Sequence, residues 1–231
     1  MMTDKRKLAV FDCDGTLVDS QHSIVAAMKA AFDCHGLHKP AADAVRRVVG
    51  LPLMTAIANL IPEADGQTHE SLTEAYKDAF SEARRRGQVL DPLYPGALEA
   101  IAKLESAGWL LGVATGKSRR GLVNTLDRHG LTESFITLQT SDNGPGKPHP
   151  DMLHRALAET GAEASMTVMI GDTTFDIEMA RSAQVLAIGV SWGYHDADEL
   201  QAAGAHVLID DFGELPKATE ILMEQASCAK P

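Results

Sequence analysis

Residues 8–20 read Leu8-Ala9-Val10-Phe11-Asp12-Cys13-Asp14-Gly15-Thr16-Leu17-Val18-Asp19-Ser20. The opening Leu8–Asp12 is a short apolar run that ends on an acid and is followed by turn residues. It lacks the alternation of a half-exposed strand, so it predicts a strand covered on both faces, as in a parallel sheet. Four later runs share this form: Trp109–Thr115, Thr167–Asp172, Val185–Ser191 and His206–Asp210. Between the later runs lie segments of helical period, Ala97–Ala107, Ser118–His129 and Pro150–Thr160. They are followed by Gly108, Gly130 and Gly161 at the usual left-handed C-terminal position. Pro150 stands at a helix start, where its missing N–H is harmless. Alternating strand and helix predicts a doubly wound α/β core with a mainly parallel, Rossmann-like sheet.

One stretch departs from this alternation. From Ser20 to about Gly87 the pattern is helical throughout, with one apolar stripe through Ile24, Ala27/Met28 and Ala31/Phe32. A second runs through Leu72, Ala75/Tyr76, Ala79/Phe80 and Ala83. Residues 20–88 hold eight basic and eight acidic side chains, so the whole net charge of −11 lies in the remainder. The expected organisation is an α/β core of residues 1–19 and 89–231 with an all-helical insert at 20–88. The chain would re-enter the core through the turn chemistry of Val89–Gly96.

Composition narrows the function classes. With 45% hydrophobic and 23% charged residues, the 231-residue chain has enough apolar material for a sizeable core, which excludes intrinsic disorder. The acidic balance argues against nucleic acid or an anionic membrane as partner, while leaving room for a local positive pocket. Cys13, Cys34 and Cys228 are an odd set without a CxxC pair, so neither a disulfide framework nor a zinc site is expected. Reduced thiols suit a cytoplasmic protein. The start shows no signal-peptide pattern. The uncharged stretch Val48–Pro62 is 15 residues long, short of the roughly 20 needed to span a bilayer.

Four segments carry chemistry. Asp12 and Asp14 stand two apart, so in extended backbone both carboxylates face one crevice beyond the strand's C-terminal edge. Two like charges there call for a cation or proton sharing, and Mg²⁺ suits hard oxygen ligands. Asp-Gly is equally a β-turn signature. In Gly171-Asp172-Thr173-Thr174-Phe175-Asp176 a second acid ends a strand, and Asp176 falls in the first turn of a helix capped by Thr173 or Thr174. Plain N-terminal capping is the alternative there. Thr115-Gly116-Lys117 offers a hydroxyl and free N–H groups at a strand-to-helix turn, which suits a phosphoryl group. Gly112 to Ser118 is not a nucleotide P-loop, because only three residues separate its glycines. Lys147 lies in the stiff Gly/Pro loop Asn143–Pro150, as an ordinary solvated lysine or as a counter-charge to the acids.

In this order, these segments resemble the haloacid dehalogenase-like hydrolases, over nearly the whole chain. Asp12–Ser20 matches the family's DxDGTLxDS motif, Thr115 its second motif, Lys147 in GKPxPD its third, and Gly171-Asp172 with Asp176 its fourth. The helical insert stands where that family carries a cap. The opening and the GKPHPDML segment look most like the branch of phosphoglycolate phosphatases and β-phosphoglucomutases. The resemblance implies a nucleophilic Asp12 and an acid/base Asp14. It implies Mg²⁺ held by Asp12, the Asp14 carbonyl, Asp172 and Asp176, with phosphoryl oxygens at Thr115 and Gly116 and charge compensation by Lys147.

The implied activity is a Mg²⁺-dependent phosphatase acting on a small phosphorylated metabolite such as phosphoglycolate, through an aspartyl-phosphate. Alternatives are a mutase, an inorganic pyrophosphatase or, outside enzymes, a phospho-receiver domain. A receiver is shorter and lacks the insert and the second acidic strand end. Asp14 and the Asp172/Asp176 pair argue against a dehalogenase. Lys29 and Lys39 sit in no segment that matches a phosphonatase. Arg47 and Lys117 are the further substrate-binding candidates, with Arg46 and Gly50–Leu53 beside them. Arg84-Arg85-Arg86 reads as a solvated helix end. Trp192-Gly193-Tyr194 reads as a packed turn or a site entrance, and His149 and His195 as surface imidazoles. A capped monomer is the expected state, with a dimer as the alternative.

Overall fold

The computed structural model describes residues 6–228. The charged start Met1–Lys5 and the side chain of Cys228 lie outside the described residues. Six strands form one sheet: β1 (Leu8–Phe11), β2 (Leu110–Thr115), β3 (Thr137–Thr140), β4 (Thr167–Gly171), β5 (Leu186–Val190) and β6 (Val207–Ile209). Their order is β3-β2-β1-β4-β5-β6, and every neighbouring pair is parallel. This is the doubly wound order, in which the chain reverses its winding direction beside β1. Val10 is in register with Gly112 on one side and Met169 on the other.

The apolar runs lack alternation because both faces of the sheet are covered. Ala9, Phe11, Leu111, Val113, Ile170 and Ile188 point into one core, against α5 (Ala97–Ser106), α6 (Arg119–Arg128) and α10 (Leu215–Cys228). Leu8, Val10, Ala114, Met169 and Ala187 point into the other, against α7 (Asp151–Thr160) and α8 (Thr174–Ser182). The short α9 (Ala197–Ala202) joins β5 to β6. Gly108, Gly130 and Gly161 take positive φ after α5, α6 and α7, as their position in the sequence predicts.

The strand β3 is absent from the sequence reading. Thr-Leu-Gln-Thr is four residues long and contains one apolar side chain. It lies at the sheet edge with a single neighbour, where little apolar pattern is required.

Between β1 and α5 lie four helices: α1 (Gln21–Cys34), α2 (Ala42–Arg46), α3 (Leu53–Leu60) and α4 (Gly66–Arg85). They share a core of their own, built from Ile24, Met28, Ala31, Phe32, Val45, Ile57 and Leu72, with no sheet residue in it. Asp65 starts α4 by accepting a hydrogen bond from the Thr68 N–H at 2.8 Å. The two chain crossings into this unit lie side by side. The Asp19 N–H donates to the Pro92 carbonyl at 2.8 Å, and the Tyr94 N–H to the Leu17 carbonyl at 3.0 Å. Among the described residues no helix is long and apolar enough to cross a membrane.

Candidate active site

Asp12 follows β1, Thr115 ends β2 and Asp172 follows β4, so the three central strands deliver their last residues to one edge. That edge is the carboxyl end of the sheet, where the crevice of an open α/β sheet lies. Gly15 lets the chain turn immediately after Asp14. Its φ is +90°, and a Cβ there would lie 2.3 Å from an Asp172 oxygen and 2.6 Å from the Tyr194 ring.

The acids converge. Asp12, Asp172 and Asp176 are all buried, and each offers a carboxylate oxygen within 4.8 Å of the others. Lys147 sits among them, with Nζ 2.8 Å from Asp12 Oδ1 and 2.5 Å from Asp176 Oδ1. The lysine is only 1% exposed, so it is the counter-charge and not a solvated side chain. Asp12 Oδ1 also accepts from the Cys13 N–H at 2.6 Å, while its Oδ2 has no hydrogen-bond partner. Asp172 is oriented from both sides, by the Thr16 hydroxyl at 2.7 Å and the Tyr194 N–H at 2.9 Å. Asp176 closes the first turn of α8: its Oδ2 accepts from the Thr173 hydroxyl at 2.7 Å and the Thr173 N–H at 3.1 Å. The capping and site readings of Asp176 are therefore both present, one on each oxygen.

Burial sets the electrostatics. It pushes the Asp12 carboxyl up to about 7, against the pull of Lys147 and with the help of Asp176. Asp172 is raised well above the usual carboxylate range by burial, Asp12 and Asp176. Burial opposes the Lys147 ammonium, but Asp12 and Asp176 outweigh it and raise its pKa. Three buried carboxylates thus stand together with one ammonium, which pairs with two of them. The unpartnered Asp12 oxygen and an all-oxygen donor set fit a hard divalent cation such as Mg²⁺.

Asp14 follows a different course from its neighbour. Its Oδ1 receives the Lys117 ammonium at 2.6 Å, so Lys117, expected against substrate, holds this acid first. Both line a cavity of about 320 Å³ that runs from Asp12 to the helical unit, with Thr115 and Gly116 on its floor. Gly116 is required where it stands, because a Cβ would meet the Gly50 carbonyl oxygen at 2.7 Å.

Arg47 does not take the substrate-facing place expected of it. It lies outside the cavity lining, and its guanidinium makes a two-pronged ion pair with Glu199 of α9. His195 is 6% exposed and not a surface imidazole. Its Nδ1 accepts from the Thr174 N–H at 3.1 Å, which leaves the proton on Nε2 to reach the Arg47 carbonyl at 3.2 Å. Trp192-Gly193-Tyr194 is the packed turn. Trp192 stacks between Tyr94 and Phe212 and donates to the Thr16 carbonyl at 3.1 Å. Burial pushes the Cys13 thiol up, which removes it as a nucleophile. Arg85 and Arg86 pair with Glu82 as a solvated helix end would, but Arg84 is half-buried and lines the cavity. Its signal in the sequence was its spacing, four and eight residues beyond Phe80 and Tyr76 on the same helix face.

Residues 9–190 match the family described as haloacid dehalogenase-like hydrolase. A probable phosphatase of Dickeya dadantii, IndB, is 36% identical, over 96% of this chain and 97% of its own length. A phosphoglycolate phosphatase of Agrobacterium fabrum is 30% identical, over 96% of each chain. A hydrolase from Pseudomonas syringae superposes with a TM-score of 0.82 at 27% identity, over 94% of this chain and 99% of the other. With its acids at the strand ends and its helices inserted after β1, the chain belongs to the haloacid dehalogenase-like hydrolases and is a phosphatase of that family.

Proposed function

We propose that the chain is a Mg²⁺-dependent phosphatase that hydrolyses a small phosphorylated metabolite through an aspartyl-phosphate on Asp12. The observation that carries this reading is the unpartnered Oδ2 of Asp12, which is one of three buried acids and lines the cavity together with Thr115 and Gly116. A Mg²⁺ ion held by Asp12, Asp172, Asp176 and the Asp14 carbonyl would offset the charge of the phosphate as the anionic nucleophile approaches.

The remaining steps belong to the chain's own residues. The Asp12 carboxylate attacks phosphorus in line, and the bond from phosphorus to the leaving oxygen breaks. Asp14 gives its proton to that oxygen, and the alcohol departs. Asp14 then takes a proton from water, whose oxygen attacks phosphorus. The bond to Asp12 breaks, and inorganic phosphate leaves. The Lys117–Asp14 ion pair must part for Asp14 to reach the leaving oxygen. The Thr115 hydroxyl and the Gly116 N–H hold phosphoryl oxygens, and Lys147 keeps Asp12 oriented through the cycle. Helices α1–α4, within residues 20–88, serve as the cap that excludes water, with hinges at Leu17–Ser20 and Val89–Gly96. The phosphoglycolate phosphatase of Agrobacterium fabrum among the relatives makes 2-phosphoglycolate the first ester to test.

The test is phosphate release from phosphoglycolate, sugar phosphates and pyrophosphate, with Mg²⁺ and with chelator. Mg²⁺-dependent release is expected from at least one ester. Asp12→Asn is expected to lose about 10⁴-fold or more in kcat while keeping the native circular dichroism spectrum. Activity retained in Asp12→Asn would overturn the covalent route.

A further inference from the structure

We infer that the cavity selects a phosphate monoester whose leaving group carries an apolar, ring-sized body and a distal anionic group bound by Arg84. This deepens the phosphatase reading and rests on it for the placement of the reactive phosphate.

The cavity is larger than a two-carbon acid requires. Its volume of about 320 Å³ lies at the lower end of the roughly 300–1,000 Å³ usual for ring-sized ligands. Met28, Val45, Val49 and Leu53 form one apolar wall, and Tyr76 and Phe80 of α4 form another. A small charged acid would leave these surfaces facing water, whereas an apolar body would cover them.

The charges at the two ends are unlike those elsewhere in this acidic chain. Arg84 follows Phe80 by one turn, with its guanidinium 5.4 Å from that ring's centre. Lys117 Nζ lies 5.7 Å from the same ring. Lys117, beside Asp14, and Arg84 thus share one aromatic neighbour in the cavity lining, Phe80. A molecule with its phosphate at Thr115 would lie across Phe80 and end at Arg84. The Arg84 Nε is buried and has no hydrogen-bond partner. Arg120, which also lines the cavity, shares this lack: among the described residues no acid forms an ion pair with either arginine. Asp142 lines the cavity too, but its Oδ2 accepts from the Arg119 N–H at 2.7 Å. Burial, with Arg128 and Arg120 nearby, lowers the Arg84 pKa although Asp91 and Asp14 pull it up, so the guanidinium stays under-compensated. A planar fork with free donors suits a carboxylate or a second phosphate.

The experiment separates this from the catalytic reading by measuring binding as well as turnover. Binding of 4-(hydroxymethyl)benzoate and benzyl alcohol is measured by calorimetry on the wild type, Arg84→Gln and Arg84→Lys. The carboxylate is expected to bind about tenfold or more tightly than the neutral alcohol. Arg84→Gln is expected to remove that advantage, and Arg84→Lys to keep part of it. In turnover, kcat/KM for the phosphate ester of 4-(hydroxymethyl)benzoate should exceed that of benzyl phosphate and of 2-phosphoglycolate, and Arg84→Gln should collapse the first ratio. Equal binding of the anionic and neutral alcohols, or an advantage that survives Arg84→Gln, overturns the proposal. Binding that behaves as expected without turnover of any ester supports the anion site and counts against the phosphatase reading alone.

Discussion

Lys147 has almost no exposed surface, and its burial is tolerable only because two carboxylates meet its ammonium. The same ammonium leaves the three acids short of positive charge, which is the electrostatic basis for expecting a metal. At this scale Asp14 is the residue whose behaviour is most open to test. Its carboxylate faces Lys117 at 2.6 Å, away from the three-acid cluster to which its neighbour Asp12 belongs. Asp14→Asn keeps the size of the side chain and removes its capacity to exchange a proton. We expect kcat to fall by about 10²–10⁴-fold and the phospho-enzyme to accumulate, as read by mass spectrometry after rapid acid quench. Full activity in this variant would take acid/base work away from Asp14.

At the scale of elements, the link between the helical unit and the core is a set of polar contacts around the segment that follows α2. Arg47 pairs with Glu199, the Arg47 carbonyl meets His195, and Gly50 lies against Thr173. His195 makes this joint sensitive to pH. Burial lowers its pKa below the ordinary 6.5, and only the neutral imidazole can accept from the Thr174 N–H. A depressed pKa contributes stability that is present above 6.5 and is lost as pH falls through the folded-state value. The wild-type melting temperature should therefore drop more steeply between pH 6.5 and 5 than that of His195→Gln, measured by calorimetry. Parallel curves would remove the imidazole from this joint. The strand β3 belongs to this scale as well. It was illegible because a four-residue polar edge strand has no periodicity to read, and its pairing with β2 appears only once the sheet is assembled.

At the scale of the whole molecule, folding brings the acids of β1, β4 and α8 into one buried cluster, so metal binding and stability are linked. A cation that binds the folded chain alone at a hundredfold excess over its Kd adds about 2.7 kcal/mol. For a domain of this size that corresponds to a rise of about 5–10 °C in melting temperature. We expect such a rise when Mg²⁺ replaces chelator, and its loss in Asp172→Asn. No change with millimolar Mg²⁺ would show that the cluster is not its site. The measurement needs no substrate and is independent of turnover.

The sequence by itself determined the α/β core, the helical insert after the first strand, the placing of Asp12, Asp14, Thr115, Asp172 and Asp176 at or near strand ends, and that of Lys147 in a Gly/Pro loop. Each follows from local pattern: apolar runs, helical period, capping residues and turn glycines act over a few positions and are visible without the rest of the chain. Only the tertiary structure decided which charge meets which. Lys117 pairs with an acid 103 residues away, and Arg47 with one 152 residues away. Among the described residues Arg84 forms no ion pair, with Asp91 and Asp14 acting on it only at longer range, while its two neighbours share Glu82. The physical reason is that helical period states which residues share a face, while the partner of that face is set by how the helices pack on the sheet.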